Sequence, residues 1–104
     1  TPAMTNTDES RLDQAVGRAV RAERLLADEL LAEAFASLEH AYTAAWRSTT
    51  IDDASGREKL FLAINVVGKV RDHLTAAVTN GRLAKAELKE LAQTAERRKR
   101  FGIL

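Results

Sequence analysis

Proline is absent from every position after Pro2, so nothing of this kind interrupts a helix over the rest of the chain. Proline interrupts helices more strongly than any other residue, and the five glycines of the chain occur singly rather than in clusters. The strong helix formers alanine, leucine, glutamate, arginine and lysine dominate the sequence. Together these properties predict an all-α protein.

The 104 residues have room for one domain with a modest core. We expect a single helical domain over residues 8–100, preceded by a disordered lead-in or tag remnant at 1–7 and followed by an apolar tip at 101–104. The fold class is a long antiparallel helical hairpin with a shorter C-terminal helix, in an oligomeric assembly. The expected helices cover about residues 8–48, 55–79 and 83–100.

Local capping residues predict where these helices begin and end. Asp28 is able to cap a new helix, so the first helix is expected to break or kink near this residue. After the connection, Asp53 or Ser55 is expected to cap the second helix, and Ser55 also begins a capping-box pattern. Asn80-Gly81 predicts a helix stop, with Gly81 in the left-handed conformation.

Apolar spacing predicts the faces that the hairpin buries. The first helix carries a stripe at heptad-type spacing, formed by Leu31, Phe35, Leu38, Tyr42 and Ala45. The second helix carries a broad apolar stripe that is expected to pack against the first. It is formed by Leu60, Ala63, Ile64, Val67, Val70, Leu74, Ala77 and Val78. Three further apolar residues fall off this stripe and are predicted to form a homo-oligomer interface: Phe61, Leu62 and Val66.

Two kinds of residue in this hairpin allow more than one interpretation. Gly17 and Gly68 lie inside predicted helices, where glycine favours a close approach between helices. Trp46 near the end of the first helix is expected to cover the hairpin core at its turn. An exposed tryptophan that anchors a partner is the alternative interpretation.

Residue types that usually carry catalysis or bind metals are sparse. The absence of cysteine excludes disulfides and Cys-ligated metals, and it favours a reducing cytoplasm. His40 and His73 lie on different predicted helices, and neither follows the Glu-x-x-His spacing of helix-bundle metal sites. No glycine-rich phosphate loop and no membrane-spanning apolar run is present. We therefore expect no enzyme activity, no cofactor, no metal and no membrane partner.

Charge is spread unevenly along the chain. Residues 1–50 carry five arginines and eight acidic residues, for a net −3, whereas residues 51–104 carry eleven cations and seven acids, for a net +4. Four of these cations are consecutive and are named the basic cluster: Arg97, Arg98, Lys99 and Arg100. This cluster either contacts nucleic-acid phosphates without reading bases, or is a set of solvated cations at a helix C-terminus.

The tail and the hairpin supply two further candidate surfaces. Phe101, Ile103 and Leu104 follow the basic cluster directly and are predicted to bind a partner or a neighbouring subunit. A second set of cations is the alternative DNA surface and consists of Arg57, Lys59, Lys69 and Arg71.

Several short segments carry a resemblance to small helical proteins encoded near packaging genes in phages and prophages. They are Ala45-Trp46-Arg47-Ser48-Thr49, Asp52-Asp53, Gly56-Arg57-Glu58, Lys69-Val70-Arg71 and Gly81-Arg82-Leu83-Ala84. Over about residues 25–100 the layout of the chain resembles the small terminase subunits of tailed phages and gene transfer agents. The resemblance implies ring oligomers built from helical hairpins, recruitment of a large terminase subunit, and engagement of the DNA to be packaged.

This chain departs from that family at its beginning. Small terminases commonly begin with a helix-turn-helix, whereas residues 8–48 are expected to form one long helix or a kinked pair. The resemblance therefore implies non-specific contact with double-stranded DNA, in the cytoplasm of a bacterial host. We expect a small-terminase-like adaptor for viral DNA packaging. The alternative is a helical scaffold, adaptor or regulatory interaction module that does not bind DNA.

Overall fold

A computed structural model of the chain describes residues 6–100 and contains three α-helices, with no strand in this range. The helices are α1 (Asn6–Ala27), α2 (Glu29–Arg47) and α3 (Ala54–Arg100). The predicted all-α fold class is confirmed. α1 begins at Asn6, two residues before the expected start at about residue 8.

Asp28 separates α1 from α2, as its capping ability predicted. Its backbone is extended, with φ −69° and ψ 119°, and its side chain accepts a hydrogen bond from the Leu31 N–H at 2.9 Å. This bond satisfies one of the amide groups that the first turn of a helix leaves without a partner. The predicted break in the first helix is therefore confirmed, and it consists of Asp28 alone.

Residues 48–53 connect α2 to α3, and Asp53 caps the second of these helices. The Asp53 carboxylate accepts a hydrogen bond from the Gly56 N–H at 3.0 Å. A Cβ atom on Gly56 would lie 2.7 Å from the Asp53 Cγ, so any other residue at position 56 would require the Asp53 carboxylate to shift. Ser55 lies inside α3 instead of capping it.

The third helix continues without a break from Ala54 to Arg100. The predicted stop at Asn80-Gly81 and the separate shorter C-terminal helix are therefore wrong. A glycine inside a helix costs only about 0.5–1 kcal/mol relative to alanine, and a tertiary contact is able to offset that cost. Gly81 makes such a contact, since it is buried against α1.

The described residues belong to two compact units, of which one combines residues up to Glu23 with those from Ala76 onward. Here α1 packs antiparallel to α3, because Ala19 and Ala15 meet Gly81 while the earlier Leu12 lies beside the later Glu87. The side chains that this contact buries are small: Ala19, Ala22, Val78 and Ala84.

Gly81 is thus the glycine at which two helices approach closely. Gly17 and Gly68 have no heavy atom within 4 Å of the position that a Cβ would occupy. The predicted close approaches at Gly17 and Gly68 are therefore wrong.

The other unit covers residues 24–75, where α2 packs antiparallel to α3. The direction follows from two contacts, between Glu39 and Arg71 and between Trp46 and Arg57. Half-buried positions on α2 recur at four- and three-residue steps, at Leu31, Phe35, Glu39, Tyr42 and Trp46.

The seam of α2 is therefore rotated from the predicted stripe. Leu38 is 43% exposed and Ala45 is also exposed. Glu39 and Trp46 take their places because both contact arginines of α3.

Candidate interaction surfaces

The basic cluster forms the last turn of α3, and all four of its side chains are exposed. Successive residues of a helix point about 100° apart, so the four cations surround the helix end instead of forming one flat patch. They lie within about 4.5 Å along the helix axis, at a rise of about 1.5 Å per residue. The structure thus places four positive charges around one helix terminus, where the helix dipole favours cations.

The three residues predicted to form an oligomer interface are all exposed on α3. Phe61 is 56% exposed, Leu62 53% and Val66 58%. Leu62 and Val66 are four residues apart and share one side of the helix, whereas Phe61 points about 100° away from Leu62. The predicted interface therefore consists of two separate surfaces.

Val70 extends the surface formed by Leu62 and Val66. It was predicted to lie in the hairpin seam but is 48% exposed, because it is four residues beyond Val66 on the same flank of α3. A shallow depression of about 300 Å³ begins here, and it is lined by Val66, Lys69, Val70, His73 and Leu74. This part of α3 exposes several neighbouring apolar side chains, and such a surface favours a protein partner.

Trp46 and Arg57 close the hairpin where α2 meets α3. The Arg57 guanidinium lies 4.7 Å from the centre of the Trp46 ring, a cation–π distance. Its Nη1 donates a hydrogen bond to the Thr49 Oγ1 at 2.7 Å, and the Thr49 hydroxyl donates to the Trp46 carbonyl oxygen at 2.6 Å. Trp46 is half-buried, which confirms its predicted position at the turn end of the hairpin.

Arg71 makes a second contact of the same kind further along α3. Its guanidinium lies 5.1 Å from the Phe35 ring centre, and its Nη1 lies 3.0 Å from the Glu39 Oε1. Both contacts cross from α3 to α2, so Arg71 helps to hold the hairpin together.

Sequence reasoning missed these two arginine–aromatic contacts. The partners are 11 and 36 residues apart, and only an antiparallel register brings each pair together. Arg57 and Arg71 are therefore engaged within the hairpin. Of the alternative DNA surface, only Lys59 and Lys69 project from α3 as exposed cations.

The histidines are exposed on separate helices, His40 on α2 and His73 on α3. Among residues 6–100, no group of three or more His, Cys, Asp or Glu side chains is arranged to hold a metal ion. No helix in this part of the chain combines the length and the apolar character that crossing a membrane requires. The predicted partner-binding residues Phe101, Ile103 and Leu104 lie outside the described residues.

Known proteins add no constraint to these surfaces. No family model, no curated protein and no solved structure matches the chain. The basic cluster and the exposed apolar surface of α3 are therefore the features from which a function has to be inferred.

Proposed function

We propose that this chain is a non-enzymatic, self-associating helical adaptor that binds double-stranded DNA without sequence preference through the end of α3. The observation that carries the proposal is the basic cluster, which is exposed on all sides of the last helical turn. In the form that the family resemblance implies, the adaptor serves viral DNA packaging in a bacterial host and recruits a large terminase subunit.

The charges support phosphate contact without base readout. Cations that neutralise phosphates release counterions, which gives affinity for any DNA sequence. Side chains that point in four directions from one turn do not present one common face to a groove, and contacts with phosphates carry no sequence information. One such helix end binds weakly, but several copies held together act on the same duplex with a high effective concentration.

The packing supports self-association. In the described residues, the buried apolar side chains are three alanines and one valine, while ten valine, leucine, isoleucine or phenylalanine side chains are more than one-third exposed. A helical chain that buries so little apolar surface gains stability when a second copy covers more of it.

A second candidate function is a scaffold or regulatory module that binds only protein. The observation that favours it is the apolar surface at Leu62, Val66 and Val70, which needs no nucleic acid to be covered. The two functions differ in whether the basic cluster has a ligand. They are therefore separated by a DNA-binding measurement on a variant that lacks the cluster.

The test replaces Arg97, Arg98, Lys99 and Arg100 together by alanine, and this protein is named the four-alanine variant. A matched control replaces four exposed cations elsewhere, Arg18, Arg21, Arg24 and Lys85, by alanine. Fluorescence anisotropy with a random-sequence duplex at low salt should show binding by the wild type and the control, and loss of binding by the four-alanine variant. Equal binding by all three proteins would remove the basic cluster from the account.

Light scattering tests the assembly that the proposal requires. A particle of many subunits favours the small-terminase form of the adaptor, whereas a dimer or tetramer favours an adaptor of another kind. A particle with the 11.4 kDa mass of one chain at every concentration would contradict self-association.

A further inference from the structure

One side of α3 carries a row of four exposed residues in which apolar side chains lie between two opposite charges. The exposed row consists of Glu58, Leu62, Val66 and Lys69. The residues follow one another at steps of four, four and three, which keeps them on the same side of a helix. They lie away from the seam with α2, whose α3 contacts include Arg57 and Arg71.

The two charges at the ends of the exposed row lack partners in the part of the chain that the structure describes. Glu58 and Lys69 enter neither of the ion pairs formed there, which are Arg11–Asp8 and Arg71–Glu39. They are separated by eleven residues, or about 16 Å of helix at about 1.5 Å per residue. Glu58, the two apolar residues and Lys69 thus follow one another along one side of α3, and the exposed Lys59 lies at the edge of this row.

We propose that the exposed row is the contact between two antiparallel copies of this chain. In this contact Glu58 of each copy pairs with Lys69 of the other copy. Turning a second copy end for end reverses the order of its row, so each acidic end meets a basic end. Parallel copies would place Glu58 against Glu58 and Lys69 against Lys69, which is unfavourable for both pairs.

The same register brings the apolar residues together. When Glu58 lies opposite Lys69 of the second copy, Leu62 lies within one residue, about 1.5 Å along the helix axis, of the level of Val66 of that copy. The depression of about 300 Å³ that extends from Val66 to Leu74 lies beside this contact. A two-fold axis repeats every contact, so each substitution changes two sites in the dimer.

The row identifies a second copy as its occupant because it is complementary to itself. When the row is reversed, each of its charges faces the opposite charge of the first copy. The apolar residues that meet, Leu62 and Val66, are both about half exposed in the single chain. The inference rests on the proposed self-association and specifies its surface and direction. Phe61 lies outside the row and stays free for contacts in a larger assembly.

Sedimentation equilibrium on the full chain tests the direction of pairing. Glu58→Lys and Lys69→Glu each turn two attractive pairs into repulsive ones and should weaken dimerisation by about tenfold at low salt. The chain that carries both substitutions regains two attractive pairs in the antiparallel dimer, so its dimerisation constant should return to within about threefold of the wild type. Circular dichroism checks that helicity is unchanged.

Glu33→Lys and Lys85→Glu are matched controls, since both change an exposed charge away from the row. They should leave the dimerisation constant within about twofold of the wild type, as expected for isolated surface charges. Single substitutions without effect, or a double variant no stronger than the singles, would overturn the proposed pairing. A wild-type chain that stays monomeric at all concentrations would overturn it as well.

DNA binding separates this inference from the proposed function. If the charge reversals fail to change dimerisation while the four-alanine variant loses DNA binding, the exposed row is not the dimer contact and the adaptor function stands. If the reversals behave as expected while the four-alanine variant binds DNA normally, the pairing stands and DNA binding through the basic cluster does not.

Discussion

Gly81 of α3 lies directly against Ala19 of α1. A Cβ atom on Gly81 would overlap the Ala19 methyl group and lie 3.0 Å from the carbonyl oxygen of Ala15. The two helices approach closely because the residues at the contact are small, and this closeness leaves no space for even one added methyl group. The packing of α1 on α3 therefore depends on glycine at position 81.

Gly81→Ala should lower the stability of the protein although alanine is the better helix former. Overpacking a tight contact costs about 1–3 kcal/mol, and the gain in helix propensity returns about 0.5–1 kcal/mol. The expected net loss is about 1 kcal/mol, measured by urea unfolding followed by circular dichroism at fixed protein concentration.

Gly17→Ala is the control, since Gly17 lies in α1 of the same unit and has no heavy atom within 4 Å of the Cβ position. This substitution should raise the free energy of unfolding by about 0.5–1 kcal/mol, the ordinary gain for alanine in a helix. Stabilisation by Gly81→Ala of the same size as by Gly17→Ala would show that the close contact is absent.

Asp53→Ala should destabilise the hairpin by removing the cap of α3. The lost hydrogen bond joins the carboxylate to the Gly56 N–H, and loss of such a cap costs about 0.5–2 kcal/mol. The neighbouring Asp52→Ala is the control, because its exposed side chain makes none of the capping contacts. Equal stabilities of the two variants in urea unfolding would exclude Asp53 as the cap.

Arg57→Lys should weaken the closure of the hairpin even though the charge is kept. Lysine lacks the planar group that stacks on Trp46 while donating to Thr49. A double-mutant cycle with Trp46→Leu should give a coupling energy of about 0.5–1 kcal/mol. Because the Arg57→Lys variant retains the single tryptophan, its fluorescence should also change. A coupling energy of zero would show that the ring and the guanidinium do not interact.

Two phenylalanines of the hairpin should respond differently to truncation. Phe35 is half-buried beneath Arg71, so Phe35→Ala should cost about 2 kcal/mol, below the about 3–5 kcal/mol of a fully buried ring. Phe61 is 56% exposed, and Phe61→Ala should cost less than about 0.5 kcal/mol in dilute, dissociated protein. A larger loss for Phe61 than for Phe35 would contradict the orientation of α3.

Capping was predictable from the sequence because it depends on a few neighbouring residues. Asp28 and Asp53 each accept a backbone N–H three residues later, and such spacing is visible without a structure. The end of the second helix was not predictable by the same rule. Asn80-Gly81 has the composition of a helix stop, but a contact with Ala19 keeps Gly81 inside α3.

For the candidate surfaces, the exposure of single residues was predictable from the sequence, whereas contacts between helices were not. The exposure of Phe61, Leu62 and Val66 followed from their positions off the apolar stripe, because helical periodicity is local. The contacts of Arg57 and Arg71 were missed, since they depend on which residues the antiparallel register brings opposite each other. The same register places Glu39 in the seam, where Leu38 had been predicted.

The salt dependence of DNA binding tests directly whether the basic cluster contacts phosphates. The affinity for a random-sequence duplex is measured over a range of salt concentrations for the wild type and the four-alanine variant. Each phosphate contact adds about 0.9 to the slope of log affinity against log salt, so four contacts per chain should separate the two slopes by about 3 to 4 for each chain bound. Scrambling the duplex sequence should leave the wild-type slope unchanged. Equal slopes for the two proteins would contradict phosphate contact by the basic cluster, because the four cations would then release no counterions.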